Sequence, residues 1–449
     1  MRTASISFNY VLSHKMRFEG KHYLNDNALS CMSIEKNASK CFCLDDIADV
    51  FNPPVFKRQF CKQSGNSVMY FQSSDVSTAN ETSPVFINKK QVESLNLLVR
   101  KNDILITGFG TIGNVRLVSR LQDGVCYANN VCRVRIKDGV YLGYIYAFLS
   151  SKYAYAQLNN NASGSVVRYI EAPGVKKTLV PSFPESFQKE VDDLIQESAR
   201  LREEAAEALE EAHGFIERNF IFANKKQISS VSIKSVLLSH NKRFEATYHT
   251  SENRSIYEYI ISNCKYIRLG DLCDRIFRPG IFKREYVSKG VTFLGGADIL
   301  MAIPDSDKRL SFRQVEKMPE LKVKKNWILV TCGGTIGNTV IIDKQLEQCV
   351  ISQHVMRIVP KEDILKGYLF AVLSSKIGNN LISLFTTGSV IPQIEAHHLE
   401  LVPIPLFNKD IMERIDNKVS SYISKIEVAK ENERKAIRMV EEEIEKWNK

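Results

Sequence analysis

Gly108-Phe109-Gly110-Thr111-Ile112-Gly113 spells G-x-G-x-x-G, whose glycines can let a backbone approach a dinucleotide pyrophosphate. Such a site needs the glycines between a strand and a helix, with an acidic residue about 20 positions on. Here the stretch runs into Asn114-Val115-Arg116-Leu117-Val118, a strand pattern, so it reads as a hairpin turn. His397 and His398 are adjacent and cannot share one helix face. His14 and His240 recur at matched places and read as supports of the fold rather than catalytic bases. The 10 cysteines are scattered with no C-x-x-C pair, which argues against a zinc ligand set and for reduced thiols in a cytoplasm. No Walker A, H-E-x-x-H or G-x-S-x-G sequence occurs. The expectation is a non-catalytic chain with no metal site and no cofactor of its own.

The elements that carry these residues are duplicated. Residues 13–19 read SHKMRFE and residues 239–245 read SHNKRFE. Phe56-Lys57-Arg58 recurs as Phe282-Lys283-Arg284, NDILITGFGTIGN as NWILVTCGGTIGN, and GYIYAFLSSK as GYLFAVLSSK. Gly164-Ser165-Val166 pairs with Gly388-Ser389-Val390, and Ile170-Glu171-Ala172 with Ile394-Glu395-Ala396. Matched blocks in constant order mark a duplicated domain with small loop insertions. The second copy places Cys332 where a dinucleotide site needs its first glycine, a further argument for a turn.

Each copy runs into a long proline-free segment rich in Ala, Glu, Lys and Arg. The first spaces Phe187, Val191, Leu194, Ser198, Leu201, Ala205, Ala208, Ala212 and Phe215 by threes and fours, the seam of a coiled coil. The second runs Met412, Ile415, Val419, Tyr422, Ile426 and Ala429, then Ile437, Val440, Ile444 and Trp447. The step from Ala429 to Ile437 predicts a slip in register. A helix of about 36 residues is roughly 54 Å long. The expectation is an antiparallel pair holding two globular domains apart. Within each copy Asp103–Thr107 and Val115–Val118 read as strands, and Gly143–Leu158 and Gly367–Phe385 each as one helix. The fold class is α+β: two tandem strand-rich domains alternating with two long helices. The predicted boundaries are 1–184, 185–222, 223–407 and 408–449.

The net charge of +10 divides unevenly. Residues 1–184 carry +9, 185–220 carry −7, 221–407 carry +8, and 408–449 are neutral. Two basic domains on acidic-to-neutral helices suit two separate contacts with a polyanion. The N-terminus MRTASISFNY lacks the apolar core of a secretory leader, and the apolar stretch around 141–149 is too short to span a bilayer. A cytoplasmic chain with no membrane contact is expected.

Asn52-Pro53-Pro54-Val55 resembles the Asn-Pro-Pro-aromatic loop of amino-methyltransferases, which grips the amine of a flipped base. Val55 replaces the aromatic, and the second copy reads Arg278-Pro279-Gly280-Ile281 without the Asn. A proline-shaped turn placing Phe-Lys-Arg is the simpler reading. The whole arrangement resembles the specificity (S) subunit of type I restriction-modification systems. It is carried by the ILITGFGTIGN/ILVTCGGTIGN turn, the GSV…IEA segment, and the VP-containing exit into a long helix. The resemblance implies two target recognition domains, each reading half of a gapped double-stranded DNA target. It implies helices that set the gap and dock two methyltransferase subunits. S-adenosylmethionine and ATP with Mg would then sit on those and on motor-nuclease subunits. The competing readings are a single-chain N6-adenine methyltransferase using Asn52 and a coiled-coil scaffold that reads no sequence.

On that resemblance Lys57, Arg58, Lys283 and Arg284 are the expected phosphate contacts, with Ser165 and Ser389 either helix caps or phosphate donors. Base reading is expected where the copies diverge: Arg168 against Pro392, and Tyr169 against Gln393. Arg suits guanine and Gln suits adenine in a major groove.

Overall fold

The computed structural model describes residues 8–13, 23, 25–164, 168–220, 232–238, 242, 244, 248–249, 252–387 and 393–448. They form two compact units, Met1–Glu203 with Val428–Lys449, and Glu204–Glu427. Each unit thus takes a part of both long helices, which run over Glu185–Glu217 and Lys409–Glu445.

The strands of the first unit are β1 (Cys41–Cys43), β2 (Ala48–Phe51), β3 (Phe60–Cys61), β4 (Ser67–Phe71), β5 (Phe86–Asn88), β6 (Ile104–Thr107), β7 (Val115–Leu117), β8 (Cys126–Tyr127), β9 (Val131–Ile136) and β10 (Leu179–Pro181). They form a sheet β2-β9-β6-β7, a sheet β3-β5-β4-β8 and a pair β1-β10. All pairings are antiparallel except β4 with β8. β6 is buried along its length because both faces are covered. Ile104 and Ile106 join the core beneath the helices, while Leu105 joins the core shared with β4 and β8. This is the period-2 geometry of a strand applied to a continuous apolar run.

The second unit repeats the plan. Its strands are β11 (Tyr266–Arg268), β12 (Cys273–Phe277), β13 (Tyr286–Leu294), β14 (Arg309–Leu310), β15 (Ile328–Thr331), β16 (Thr339–Ile341), β17 (Val350–Ile351), β18 (Val355–Pro360) and β19 (Pro403–Pro405). They pair as β12-β18-β15-β16, β14-β13-β17 and β11-β19. Local bonds recur with the topology. Tyr144 Oη donates to Pro181 O and Tyr368 Oη to Pro405 O, both at 2.6 Å. Arg133 and Arg357 are both fully buried, donating to the carbonyls of Leu97 and Leu98 and of Ile351, Ser352 and Val355. Burial pushes each guanidinium down to about 10.

Two expectations need correction. The segments at 143–158 and 367–385 are each a pair of helices, Leu142–Leu149 with Lys152–Asn160 and Lys366–Ser374 with Lys376–Leu384. The break is the repeated Ser-Ser-Lys. Ser151 and Ser375 adopt extended backbone, and their hydroxyls cap the following helices at Ala154 N and Gly378 N. The second correction concerns the second long helix, whose buried stripe does not slip. Ala429 is followed by Glu433, Ala436, Val440 and Ile444, all buried. The seam position that looked vacant holds a carboxylate. Glu433 accepts from Arg202 Nη2 at 2.8 Å and from Tyr146 Oη at 2.6 Å, so a charged side chain continues the apolar stripe.

On the first long helix Val191, Leu201, Ala205 and Ala208 are buried, but Leu194 and Phe215 are half-buried, with Ile195 and Ile216 buried beside them. Near these ends the helix packs on the sheet-and-helix body as well as on its partner helix, which turns the buried face by one residue. On the second, Ile415, Val419, Val440 and Ile444 are buried and Tyr422, Ile426 and Ile437 half-buried. In the second unit Lys425 pairs with Glu204 at 2.8 Å, Lys418 pairs with Glu211, and Arg414 lies over Phe215 at 4.8 Å. Numbers rise on one helix as they fall on the other, so the two run antiparallel there.

The second unit carries a pH-dependent element. His213, on the first long helix, lies 2.9 Å from Ser374 Oγ. Burial pushes its imidazole down from 6.5 to about 4. Between those values the unfolded chain takes up a proton that the folded unit refuses, so stability falls as pH drops. The loss is expected to reach roughly 3 kcal/mol once pH is below about 4. Thermal unfolding from pH 7 to pH 4 checks this, and His213→Gln is expected to flatten the dependence.

Candidate nucleic-acid interface

Thr107 and Thr331 build the glycine-rich turns. Each hydroxyl donates to the carbonyl four residues on, Thr111 O and Thr335 O, and accepts from Asn114 N and Asn338 N. Gly110, Gly113, Gly334 and Gly337 have φ of 75°, 90°, 78° and 92°, which favour glycine. The turns join antiparallel strands, β6 to β7 and β15 to β16, so they are hairpins and not nucleotide cradles. A Cβ on Gly108 would lie 2.5 Å from Ile170 O, whereas the second unit accommodates Cys332.

Against each turn lies the segment expected to read bases. Ile170 N donates to Gly108 O, and Ser163 and Tyr169 exchange backbone bonds of 2.8 and 2.9 Å. In the second unit Thr387 and Gln393 exchange backbone bonds of 2.9 and 2.8 Å. Tyr169 and Gln393 therefore occupy equivalent, exposed places beside the turns. Tyr169 stacks on Phe109 with ring centroids 5.4 Å apart and an angle of 12°, forming an exposed aromatic face. The second unit has Gly333 opposite Gln393 and no such face there. Arg168 is exposed and donates to Asn159 O. Ser165, Ser389 and Pro392 lie outside the described residues.

The proline turns stand next to this surface. Asn52 Oδ1 accepts from Ala172 N at 2.7 Å, so that oxygen caps the helix Ala172–Lys176. This engagement counts against Asn52 as the grip on a flipped base. Arg278 takes a comparable place in the second unit through its 2.6 Å pair with Glu395. Beyond the turns Lys57 and Lys283 are exposed. Their backbone carbonyls are held by Gln91 Nε2 at 2.6 Å and Gln314 Nε2 at 2.7 Å. The two arginines differ, Arg58 being exposed and Arg284 half-buried. Arg58 Nε donates to Tyr70 Oη at 2.6 Å. Arg284 is half-buried, bonded to Gln353 Oε1 at 3.2 Å and lying over Phe293 at 5.5 Å. The paired glutamines were not singled out from sequence. Their signal was a Gln a little over 30 residues downstream of each Phe-Lys-Arg, 34 residues after Lys57 and 31 after Lys283. Among the described residues no group of His, Cys, Asp and Glu could hold a metal ion.

Sequence comparison places a type I restriction modification DNA specificity domain over residues 261–438. The internal repeat extends the same design to the first copy. Residues 261–438 are thus similar to the DNA specificity domain of type I restriction-modification systems. The specificity domain is in general a recognition module and not a catalytic one. No match is found among curated proteins. Among solved structures the chain is similar to the S subunit of a type I restriction-modification system from M. genitalium, at 14% identity over 91% of this chain and 95% of that one, with a TM-score of 0.35. It is also similar to the HsdS subunit from Thermoanaerobacter tengcongensis, at 16% identity over the same shares, with a TM-score of 0.29. No helix among the described residues is long and apolar enough to cross a membrane.

Proposed function

We propose that each unit reads one half of a bipartite, gapped duplex target. The observation that carries this reading is one scaffold built twice with different exposed side chains beside the same turn, Phe109 with Tyr169 in one unit and Gln393 in the other. Shared basic positions such as Lys57 and Lys283 supply phosphate contacts, and the divergent ones supply base choice. Helix length sets the gap, and the helices dock two methyltransferase subunits. Those partners carry S-adenosylmethionine, and motor-nuclease partners carry ATP and Mg. This chain supplies sequence choice and assembly.

Methylome sequencing of a host expressing the chain with its methyltransferase tests the reading. A gapped, asymmetric motif is expected. Exchanging residues 1–184 for the matching domain of a relative is expected to change one half of that motif and keep the other. An ungapped motif, or a change in both halves, contradicts it.

A further inference from the structure

Val55 and Ile281 are the two most exposed large aliphatic side chains among the described residues, at 88% and 94%. They hold the same position in the two repeats, immediately before Phe-Lys-Arg. One exposed aliphatic residue is ordinary on a protein surface. Two β-branched ones at matched positions stand on segments that both units hold rigidly. Upstream, Pro53 and Pro279 are buried, and the turns are tied through Asn52 to Ala172 N and through Arg278 to Glu395. Downstream, Gln91 bonds both Lys57 O and Gln59 N, and Gln314 bonds both Lys283 O and Glu285 N. An apolar tip held this way loses little conformational freedom when it docks.

We propose that Val55 and Ile281 are base-edge contacts, each packing on the C5-methyl of a thymine in the major groove of its half-site. This rests on the DNA-reading function above. The chemistry selects the partner. An aliphatic side chain has no donor or acceptor, and the thymine methyl is the apolar group on a base-pair edge in the major groove. Lys57 and Lys283, two residues on and exposed, suit the phosphates alongside. The tips thus add discrimination of thymine from cytosine to whatever Tyr169 and Gln393 read.

The test uses the full-length chain in its methyltransferase assembly and its methylome-defined duplex. Each thymine of both half-sites is replaced in turn by deoxyuridine, which removes one methyl group. Competition binding is expected to weaken roughly fourfold at one thymine in each half, the value of burying one such group. Val55→Ser is expected to abolish that sensitivity in one half alone, and Ile281→Ser in the other. Both variants should unfold at the wild-type temperature, since the side chains are exposed. Specific wild-type binding with no sensitivity at any thymine overturns the proposal. So does sensitivity that survives Val55→Ser and Ile281→Ser. A minor-groove wedge is a third contrary result, read as duplex kinking that the serine variants relieve without any effect of uracil. Failure of the wild type to prefer its target over a scrambled duplex refutes the underlying DNA-reading function instead.

Discussion

Replacing Arg202 with methionine is expected to destabilise the first unit by about 3–5 kcal/mol, because it leaves the Glu433 carboxylate buried without its cation. The Glu433 side chain is 8% exposed and that of Arg202 17%, so little water is available to take over. Burial pulls the Arg202 guanidinium down, yet the neighbouring Glu433 and Tyr146 outweigh it and the net direction is up. Tyr146 is driven well above its usual range, first by burial and then by Glu433. Urea unfolding of the full chain, following the transition of the first unit, measures the loss. The combined change Tyr146→Phe, Arg202→Met and Glu433→Leu removes every polar member together. It is expected to return stability to within about 1 kcal/mol of wild type or above it. A single Arg202→Met that costs less than about 1 kcal/mol means the carboxylate is not held as described.

The same residue shows where reading the sequence stopped. The duplicated domain, the two long helices and the hairpin nature of the glycine-rich turn were legible because each rests on local pattern. Matched blocks keep their order, apolar residues keep helical spacing, and strand residues flank the glycines. Glu433 was illegible because its partners, Arg202 and Tyr146, are 231 and 287 residues away in sequence. Hydrophobic periodicity records no charge that is neutralised from a distant element. The Ser-Ser-Lys break failed for a different reason. The residues on both sides are apolar and helical, and only the extended backbone at Ser151 and Ser375 separates two helices from one.

For the candidate interface the limit lay in orientation. The basic pairs were visible as residue types, but their settings were not: Arg58 is exposed and bonds Tyr70 through Nε, whereas Arg284 is half-buried against Gln353 and the ring of Phe293. Tyr169 and Gln393 were picked only because the copies differ there. Their place beside the hairpin depends on backbone bonds to Ser163 and Thr387 that no spacing rule supplies. The prominence of Val55 and Ile281 is likewise a property of the turn, since hydropathy alone assigns such residues to a core.

Gly143→Val is expected to destabilise the first unit by about 3 kcal/mol, at the upper end of overpacking costs. A Cβ at Gly143 would lie 2.8 Å from both Asp192 Oδ1 and Ile195 Cβ, and 2.9 Å from Asp192 Cα. Those atoms belong to the first long helix, so relief requires moving the helix rather than rotating a side chain. The same joint exists in the second unit, where a Cβ at Gly367 would meet Asp416 Oδ1 at 2.8 Å and Asp416 O at 3.0 Å. Glycine at these positions lets an otherwise free amide reach a carboxylate. Gly143 N donates to Asp192 Oδ1 at 2.5 Å, and Gly367 N and Tyr368 N donate to Asp416 Oδ1 at 2.8 and 3.1 Å. Each aspartate thus caps the first turn of a body helix and favours its positive dipole end. Val at Gly143 breaks both the fit and the cap, and Gly367→Val is expected to do the same to the second unit alone. Gly65→Ala, where a Cβ meets nothing within 4 Å, is the matched control and is expected to stay within about 0.5 kcal/mol of wild type. Scanning calorimetry of the full chain separates the outcomes. A lowered transition in the altered unit supports the joint, and an unmoved transition for Gly143→Val shows that the helix yields without cost.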